Sequence, residues 1–398
     1  MDDPLPPGPD AVESAGDAPT RSVQPYDGDR LDPDPLRDPQ APAPDDPDAD
    51  AFYAEGTLHD IRLTLPDTSR ASLALAPRVA VDATFATGGH AWPVGVRLKG
   101  TTTFRTLDGK PAFKVDFDHT DPEGRFRGRK RLTLNSMLQD SSMLHEHVSY
   151  WLYRHRGVPA PRHTFARVWV NSAYYGIYGV VETMDEQFLD TAFPDDDDGT
   201  LYEGNLSDFE VGHERQFEVE EAADTAVPYV DLEALTATLA AAPDDGFLAA
   251  LDATFDLDAL LRFLAIDLVS GNVDGYSRFR NNYLVYHAVL AGRWYLVPWG
   301  HDQAMQWHRA VGPYEGMQGH LLQRCGVDPA CAERLTTEIQ ELMVEWEDGP
   351  FIQMVSDTTS LIQRECAADP RAELPCDASH VLAFVLARPE TVRAELAE

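Results

Sequence analysis

Short runs in which apolar and polar residues alternate constrain this chain most, because such a run buries one face of a strand and wets the other. Leu58-His59-Asp60-Ile61-Arg62-Leu63-Thr64-Leu65, Val94-Gly95-Val96-Arg97-Leu98-Lys99 and Phe113-Lys114-Val115-Asp116-Phe117 all read this way. They predict a mainly antiparallel sheet with one solvated face. Behind an Asp140-Ser141-Ser142 cap, Met143, Leu144, Val148, Trp151 and Leu152 form a helical stripe to about Arg156, stopped by Gly157-Val158-Pro159-Ala160-Pro161. Strands over 165–170 and 175–182 follow, joined by a turn at Asn171-Ser172, and Asp195-Asp196-Asp197-Asp198-Gly199 reads as a loop. A helix capped by Asp256 or Asp258 carries Leu260, Leu261, Leu264 and Leu268, and a hairpin over 282–289 and 293–299 comes next. From about Gln318 the spacing is helical. Strands first and helices later predict an α+β fold of two lobes with a cleft between them: an antiparallel-sheet N-lobe and a mainly helical C-lobe.

Charge narrows the function. Lys and Arg number 32 against 67 Asp and Glu, a net −35 over 398 residues. Nucleic-acid and anionic-membrane binding want the opposite sign. No apolar run is long enough to span a bilayer. Residues 1–50 hold 14 acidic and 3 basic side chains and 12 of the 29 prolines, without apolar periodicity, so residues 1–54 are expected to form a disordered acidic linker. The start has no basic or apolar leader, yet such linkers follow secretion signals or lipid anchors, so a trimmed, exported chain is the expectation. Cys325, Cys331, Cys366 and Cys376 form two close pairs, neither with the spacing of a zinc or redox motif. They fit two local disulfides in an oxidising, extracytoplasmic compartment, with four buried thiols as the alternative.

Five blocks in order carry a resemblance. They are Val96-Arg97-Leu98-Lys99-Gly100-Thr101-Thr102; Lys110-Pro111-Ala112-Phe113-Lys114-Val115-Asp116-Phe117; Val170-Asn171-Ser172-Ala173-Tyr174-Tyr175-Gly176-Ile177-Tyr178, ending in Glu182; Gly271-Asn272-Val273-Asp274 with Asn281-Asn282-Tyr283; and Pro298-Trp299-Gly300-His301-Asp302. Together they resemble the CotH (spore-coat protein H) kinase family over about residues 55–317. The resemblance implies an atypical protein-kinase-like fold that uses ATP and Mg²⁺, or Mn²⁺, to phosphorylate Ser or Thr of a protein substrate. Residues 318–398 would complete the helical lobe.

Phosphoryl transfer needs a cation on the phosphates, hard ligands for the metal and a carboxylate for the attacking hydroxyl. Phe113, Val115 and Phe117 face one side of their strand and Lys114 the other, with Lys110 on that same side. Lys114 is therefore the candidate for the phosphates, and the family pattern supplies Glu146 as its partner. Lys99, Gly100 and Thr101 would form a turn covering the phosphates, and Lys110 and Glu182 would lie near the nucleotide. By resemblance Asp274 serves the substrate hydroxyl, while Asp302 with Asn281 or Asn282 holds the metal. The same residues have plainer readings: a solvated strand lysine, an exposed helix glutamate, a loop aspartate, turn asparagines and, for Glu182, a structural ion pair. The family hairpin usually ends Pro-Trp-Asp-x-Asp, and here Gly300 stands in place of the first Asp. Either Asp302 suffices, His301 adapts the site to Mn²⁺, or the chain is a non-catalytic surface-binding module.

Overall fold

In a computed structural model of the chain, residues 49–223, 226–305 and 317–397 are described. Most of the acidic Pro-rich segment thus lies outside the described residues. Its last residues do not behave as a linker. Helix α1 (Ala49–Phe52) lays Ala49, Phe52 and Tyr53 into an apolar core.

That core belongs to a barrel. Its strands are β1 (Leu58–Thr64), β2 (Val81–Thr87), β3 (His90–Lys99), β4 (Ala112–Asp116), β5 (Arg131–Asn135), β6 (His163–Val170) and β7 (Ala173–Glu182), with helix α2 (Asp67–Leu75) between β1 and β2 and α3 (His145–His155) between β5 and β6. The order β1-β2-β3-β4-β5-β7-β6 closes on itself, because β1 pairs antiparallel with β2 and parallel with β6, from Leu58 opposite Phe165 to Leu63 opposite Val170. The expected antiparallel sheet is therefore corrected to a closed seven-stranded barrel with one parallel pair. Closure removes both edges of the sheet. The alternation read from sequence sets its inside: Val94, Val96 and Leu98 of β3 and Phe113, Val115 and Phe117 of and beyond β4 are buried together. Fully burying each such side chain stabilises the fold by roughly 1.5–3 kcal/mol.

The remaining elements are α4 (Glu186–Ala192), β8 (Thr200–Gly204), β9 (Glu218–Glu221), α5 (Val230–Ala241), α6 (Phe247–Thr254), α7 (Leu257–Val269), α8 (Tyr276–Phe279), β10 (Tyr283–Ala288), β11 (Arg293–Pro298), α9 (His320–Val327), α10 (Pro329–Asp348), α11 (Phe351–Ala367) and α12 (Ser379–Leu396). A second sheet runs β11-β10-β8-β9, with the β10–β11 hairpin paired from Tyr283 opposite Pro298 to Ala288 opposite Arg293. Asp256 caps α7, its side chain accepting from the Ala259 N–H at 3.0 Å. Helix α7 shares one core with α9–α12, including Leu260, Leu264, Leu335, Ile339, Trp346 and Phe384.

Both cysteine pairs are bonded, Cys325 to Cys331 and Cys366 to Cys376. The second closes a loop that clasps the barrel. Within it Asp369 takes a 2.7 Å bond from Lys110 Nζ and a 3.0 Å bond from the Ile177 N–H. The Arg371 guanidinium donates to the carbonyls of Leu107 and Asp108 at 3.1 and 2.9 Å, and Glu373 receives Arg105 at 2.5 and 2.6 Å. Gly176 makes room for this contact. Its φ of +104° is a conformation that favours glycine, and a Cβ there would lie 2.2 Å from the Asp369 carboxylate. Replacing Cys366 and Cys376 by Ser should lower stability by about 2–3 kcal/mol through chain entropy alone. Denaturant midpoints of the two forms check this, and equal midpoints would contradict it.

Candidate active site

A cleft of about 660 Å³ opens between the barrel and the second sheet. Register explains its cationic wall. Val94, Val96 and Leu98 turn into the barrel, so Arg97 and Lys99 turn out. Lys114 faces Arg97 across the β3–β4 ladder, and all three cations line the cleft. Gly100 and Thr101 line it at the end of β3.

The charge of Glu146 acts on Lys99 and not notably on Lys114. Burial lowers the Lys99 pKa, and the Glu146 carboxylate is the strongest charge opposing that shift. Glu146 lies in the first turn of α3, fully inside the protein, where burial raises its pKa. A 2.9 Å bond from Tyr150 Oη, the charge of Lys99 and a bond from Asn135 Nδ2 hold it towards the ionised form. The Lys99 ammonium also sits 5.0 Å from the centre of the Trp299 ring, a cation–π distance. Lys114 has other company. Burial lowers its pKa, then Arg97 and Arg131, with Asp116 and Glu220 opposing.

The same cleft also carries acidic groups. Asp267, near the end of α7, organises the loop that follows: its carboxylate accepts from the Ser277 N–H at 2.8 Å and from Asn272 Nδ2 at 3.3 Å. This loop presents Asp274, whose two oxygens accept from Asn281 Nδ2 at 3.1 Å and Asn282 Nδ2 at 2.8 Å. Asp274, Asn281, Asn282 and Asp302 all line the cleft. Asp302 is held well above the ordinary carboxylate range, first by burial and then by the negative charges of Glu146, Asp140 and Asp274. A divalent cation beside Asp302 would offset those negative charges. Both asparagines turn their N–H groups to Asp274, so their amide oxygens remain for other partners. Glu203 and Glu220 add carboxylates to the cleft, and Glu203 is pushed up to about 7 by burial and then by Glu220.

Three residues singled out in the sequence lie elsewhere. Lys110 is fully buried against Asp369 and the Tyr178 ring, outside the cleft. Its parity with Lys114 fails because β4 begins only at Ala112. Glu182 ends β7 but pairs with Arg162 at 2.5 Å and Arg129 at 3.4 Å, while its neighbours Thr183 and Met184 reach the cleft. His301 is buried between the Tyr150 and Tyr153 rings, away from the cleft, and its pKa is pushed down to about 3 by burial. Neither ring nitrogen has a hydrogen-bond partner among the described residues. Sequence reasoning missed Asn135 and Tyr150. The signal for Tyr150 was its position one helical turn after Glu146.

At residue 300 the backbone has φ +58°, and a Cβ would stand 2.8 Å from Asn282 Oδ1. The Asn282 side chain thus occupies space next to the place where the family carries its first Asp.

Comparison with known proteins agrees with these blocks. The family model described as CotH kinase protein matches residues 96–373. The inner spore coat protein H of Bacillus subtilis (strain 168) is 27% identical over 196 residues, 47% of this chain and 52% of that protein. The chain therefore spans about half the length of that curated relative. Among solved structures, a Helicobacter pylori proinflammatory kinase, CtkA, aligns with 68% of this chain and 89% of its own at 10% identity, with a TM-score of 0.29. The Shewanella oneidensis MR-1 toxin–antitoxin complex of HipA, HipB and operator DNA aligns over 75% of this chain and 67% of its own at 14% identity, again with a TM-score of 0.29. The family match takes in the cationic wall, the acidic groups of the cleft and the helices through α11, and the chain belongs to the CotH kinase family.

Proposed function

We propose that this protein is an ATP- and metal-dependent protein kinase that phosphorylates Ser or Thr on an exported or surface protein. One observation carries the reading: a single cleft gathers Lys99 of β3, on which the buried Glu146 acts, and two carboxylates from beyond α7, Asp274 and Asp302, which lie 175 and 203 residues later. Lys99, oriented by Glu146 and Trp299, would take the phosphates, with the turn from Gly100 to Thr101 beside them. Asp302, with the amide oxygens of Asn281 and Asn282, would hold Mg²⁺ or Mn²⁺. The metal, when bound, neutralises charge on the β- and γ-phosphates.

Asp274 would orient the acceptor hydroxyl and take its proton as the oxygen attacks the γ-phosphorus. The bond from that phosphorus to the bridging oxygen breaks, and ADP leaves with the electron pair. Asn281 and Asn282 donate to both Asp274 oxygens and so fix its carboxylate plane. Two disulfides fit action in an oxidising compartment. No described helix is long and apolar enough to cross a membrane. Incubation with γ-labelled ATP, either metal and a basic acceptor protein should give acid-stable phosphoserine or phosphothreonine. Unlabelled acceptor and unlabelled enzyme under both metals would overturn the reading.

A second reading, a binding module without catalysis, is favoured by Gly300, which leaves the metal side one carboxylate short. It predicts ATP binding without transfer.

The raised Asp302 pKa has a signed consequence. Folded Asp302 keeps a proton that the unfolded chain releases above about pH 3.9, so its contribution to stability falls as pH rises from there through the folded value. A divalent cation favours the ionised form and displaces that proton. The thermal shift produced by Mn²⁺ with ADP should therefore be larger at pH 8 than at pH 5.5, and Asp302→Asn should abolish the difference. Equal shifts at both pH values in the wild type would contradict the assignment.

A further inference from the structure

We propose that His145 is a positioning residue for Asp302, acting through the Asp302 peptide rather than through any ligand. This rests on the reading of Asp302 as the metal-side carboxylate. His145 opens α3 and is 1% exposed. Its Nδ1 lies 2.7 Å from the Asp302 carbonyl oxygen and 3.3 Å from Asp140 Oδ1. Both neighbours are acceptors, so Nδ1 carries the hydrogen whether the ring is neutral or charged.

Asp140 is itself fixed. Its Oδ1 accepts from the Ser142 N–H at 2.8 Å and Ser142 Oγ at 2.5 Å, and its Oδ2 accepts from the His145 N–H at 2.7 Å. One carboxylate therefore aligns both the backbone and the ring of His145. The Ser141 carbonyl, inside the same turn, accepts from the Asp377 N–H at 2.8 Å, which ties the turn to the C-terminal helices.

On the other side, Asp302 sits in a 3-10 turn (His301–Gln303) directly after Gly300. The Met305 N–H reaches the Ser270 carbonyl at 2.7 Å, anchoring the far end of that turn. Glycine at 300 gives the near end backbone freedom that an Asp there would restrict. His145 supplies the missing restraint at residue 302 itself. Replacing a group that orients a metal ligand from behind typically costs about 10- to 100-fold in metal affinity. A chain that has lost one family carboxylate depends more on how the remaining one is held.

Electron paramagnetic resonance titration of Mn²⁺ into the full-length protein with a non-hydrolysable ATP analogue tests this. Asparagine places Nδ2 at the same number of bonds from Cβ as histidine Nδ1, whereas glutamine places its amide nitrogen one bond further. His145→Asn should bind Mn²⁺ within about threefold of wild type, and His145→Gln and His145→Ala about 10- to 100-fold more weakly. Affinity for the analogue without metal should be equal in all four, which also shows that they fold. Equal Mn²⁺ affinity in Gln, Ala and wild type would overturn the role of His145, and so would an Asn variant as weak as Ala. Full Mn²⁺ affinity in Asp302→Ala, or none in the wild type, would instead remove the metal-site reading beneath it.

Discussion

Lys99→Met should lower phosphoryl transfer about 100- to 1,000-fold, the loss seen when one preorganised donor to a developing charge is removed. Lys114→Met should lower it about tenfold or less, as for a donor whose net contribution is an ordinary hydrogen bond. The difference follows from what stands behind each amine. Lys99 has the buried Glu146 carboxylate, itself held by Tyr150 and Asn135, and the face of Trp299. The carboxylate thus opposes the discharge that burial favours, and the ring lies against the ammonium. Lys114 shares its face with Arg97 and Arg131, whose charges disfavour its own. It adds to the positive wall without a fixed aim. Glu146→Gln should reproduce most of the Lys99 effect, because the amine then loses its strongest opposing charge. Steady-state rates on one acceptor, with ATP affinity measured separately, check the order. A Lys114→Met variant more damaged than Lys99→Met would return the phosphate contact to β4.

Lys110→Met should destabilise the folded protein by about 3–5 kcal/mol while leaving nucleotide affinity intact, since it leaves a buried carboxylate without its cation. Both side chains of the Lys110–Asp369 pair are fully buried, and Asp369 also receives the Ile177 and Arg371 backbone N–H groups. Asp369→Asn added to Lys110→Met should recover a large part of the loss. It removes the stranded charge yet keeps an acceptor for Ile177. Urea midpoints on the three proteins measure this, with nucleotide binding followed at low temperature where all are folded. An unchanged midpoint together with lost nucleotide affinity would place Lys110 in the cleft after all.

The contrast between these two lysines shows what local sequence carries. Alternation in Val94–Lys99 and Phe113–Phe117 assigns each side chain to the core or the outer face, and those assignments hold residue by residue. Which outward lysine meets Glu146 depends on where α3 packs, and no local period encodes that. Lys110 has the parity of Lys114 but precedes the first strand residue, and its partner lies 259 residues later. Barrel closure is hidden for the same reason. The parallel β1–β6 pair joins residues more than 100 apart, and each strand alone looks like any half-buried strand. Strand β9, read as Glu218-Val219-Glu220-Glu221, offers too few apolar positions for a strand pattern. The cysteine pairs were legible because each closes a short loop. Asp274, Asn281, Asn282 and Asp302 were legible as a group through the family blocks, and their convergence on one cleft is a property of the fold.

The most direct test is transfer of label from γ-labelled ATP by the wild type, Asp274→Ala and Asp302→Ala, each with Mg²⁺ and with Mn²⁺. A basic protein and the enzyme itself serve as acceptors. Label in the wild type that disappears in both variants, with circular dichroism unchanged, is the predicted result. It would show that Asp302 suffices without a carboxylate at residue 300. Transfer that survives Asp274→Ala, or a wild type that binds ATP and transfers nothing to any acceptor, would contradict the catalytic account.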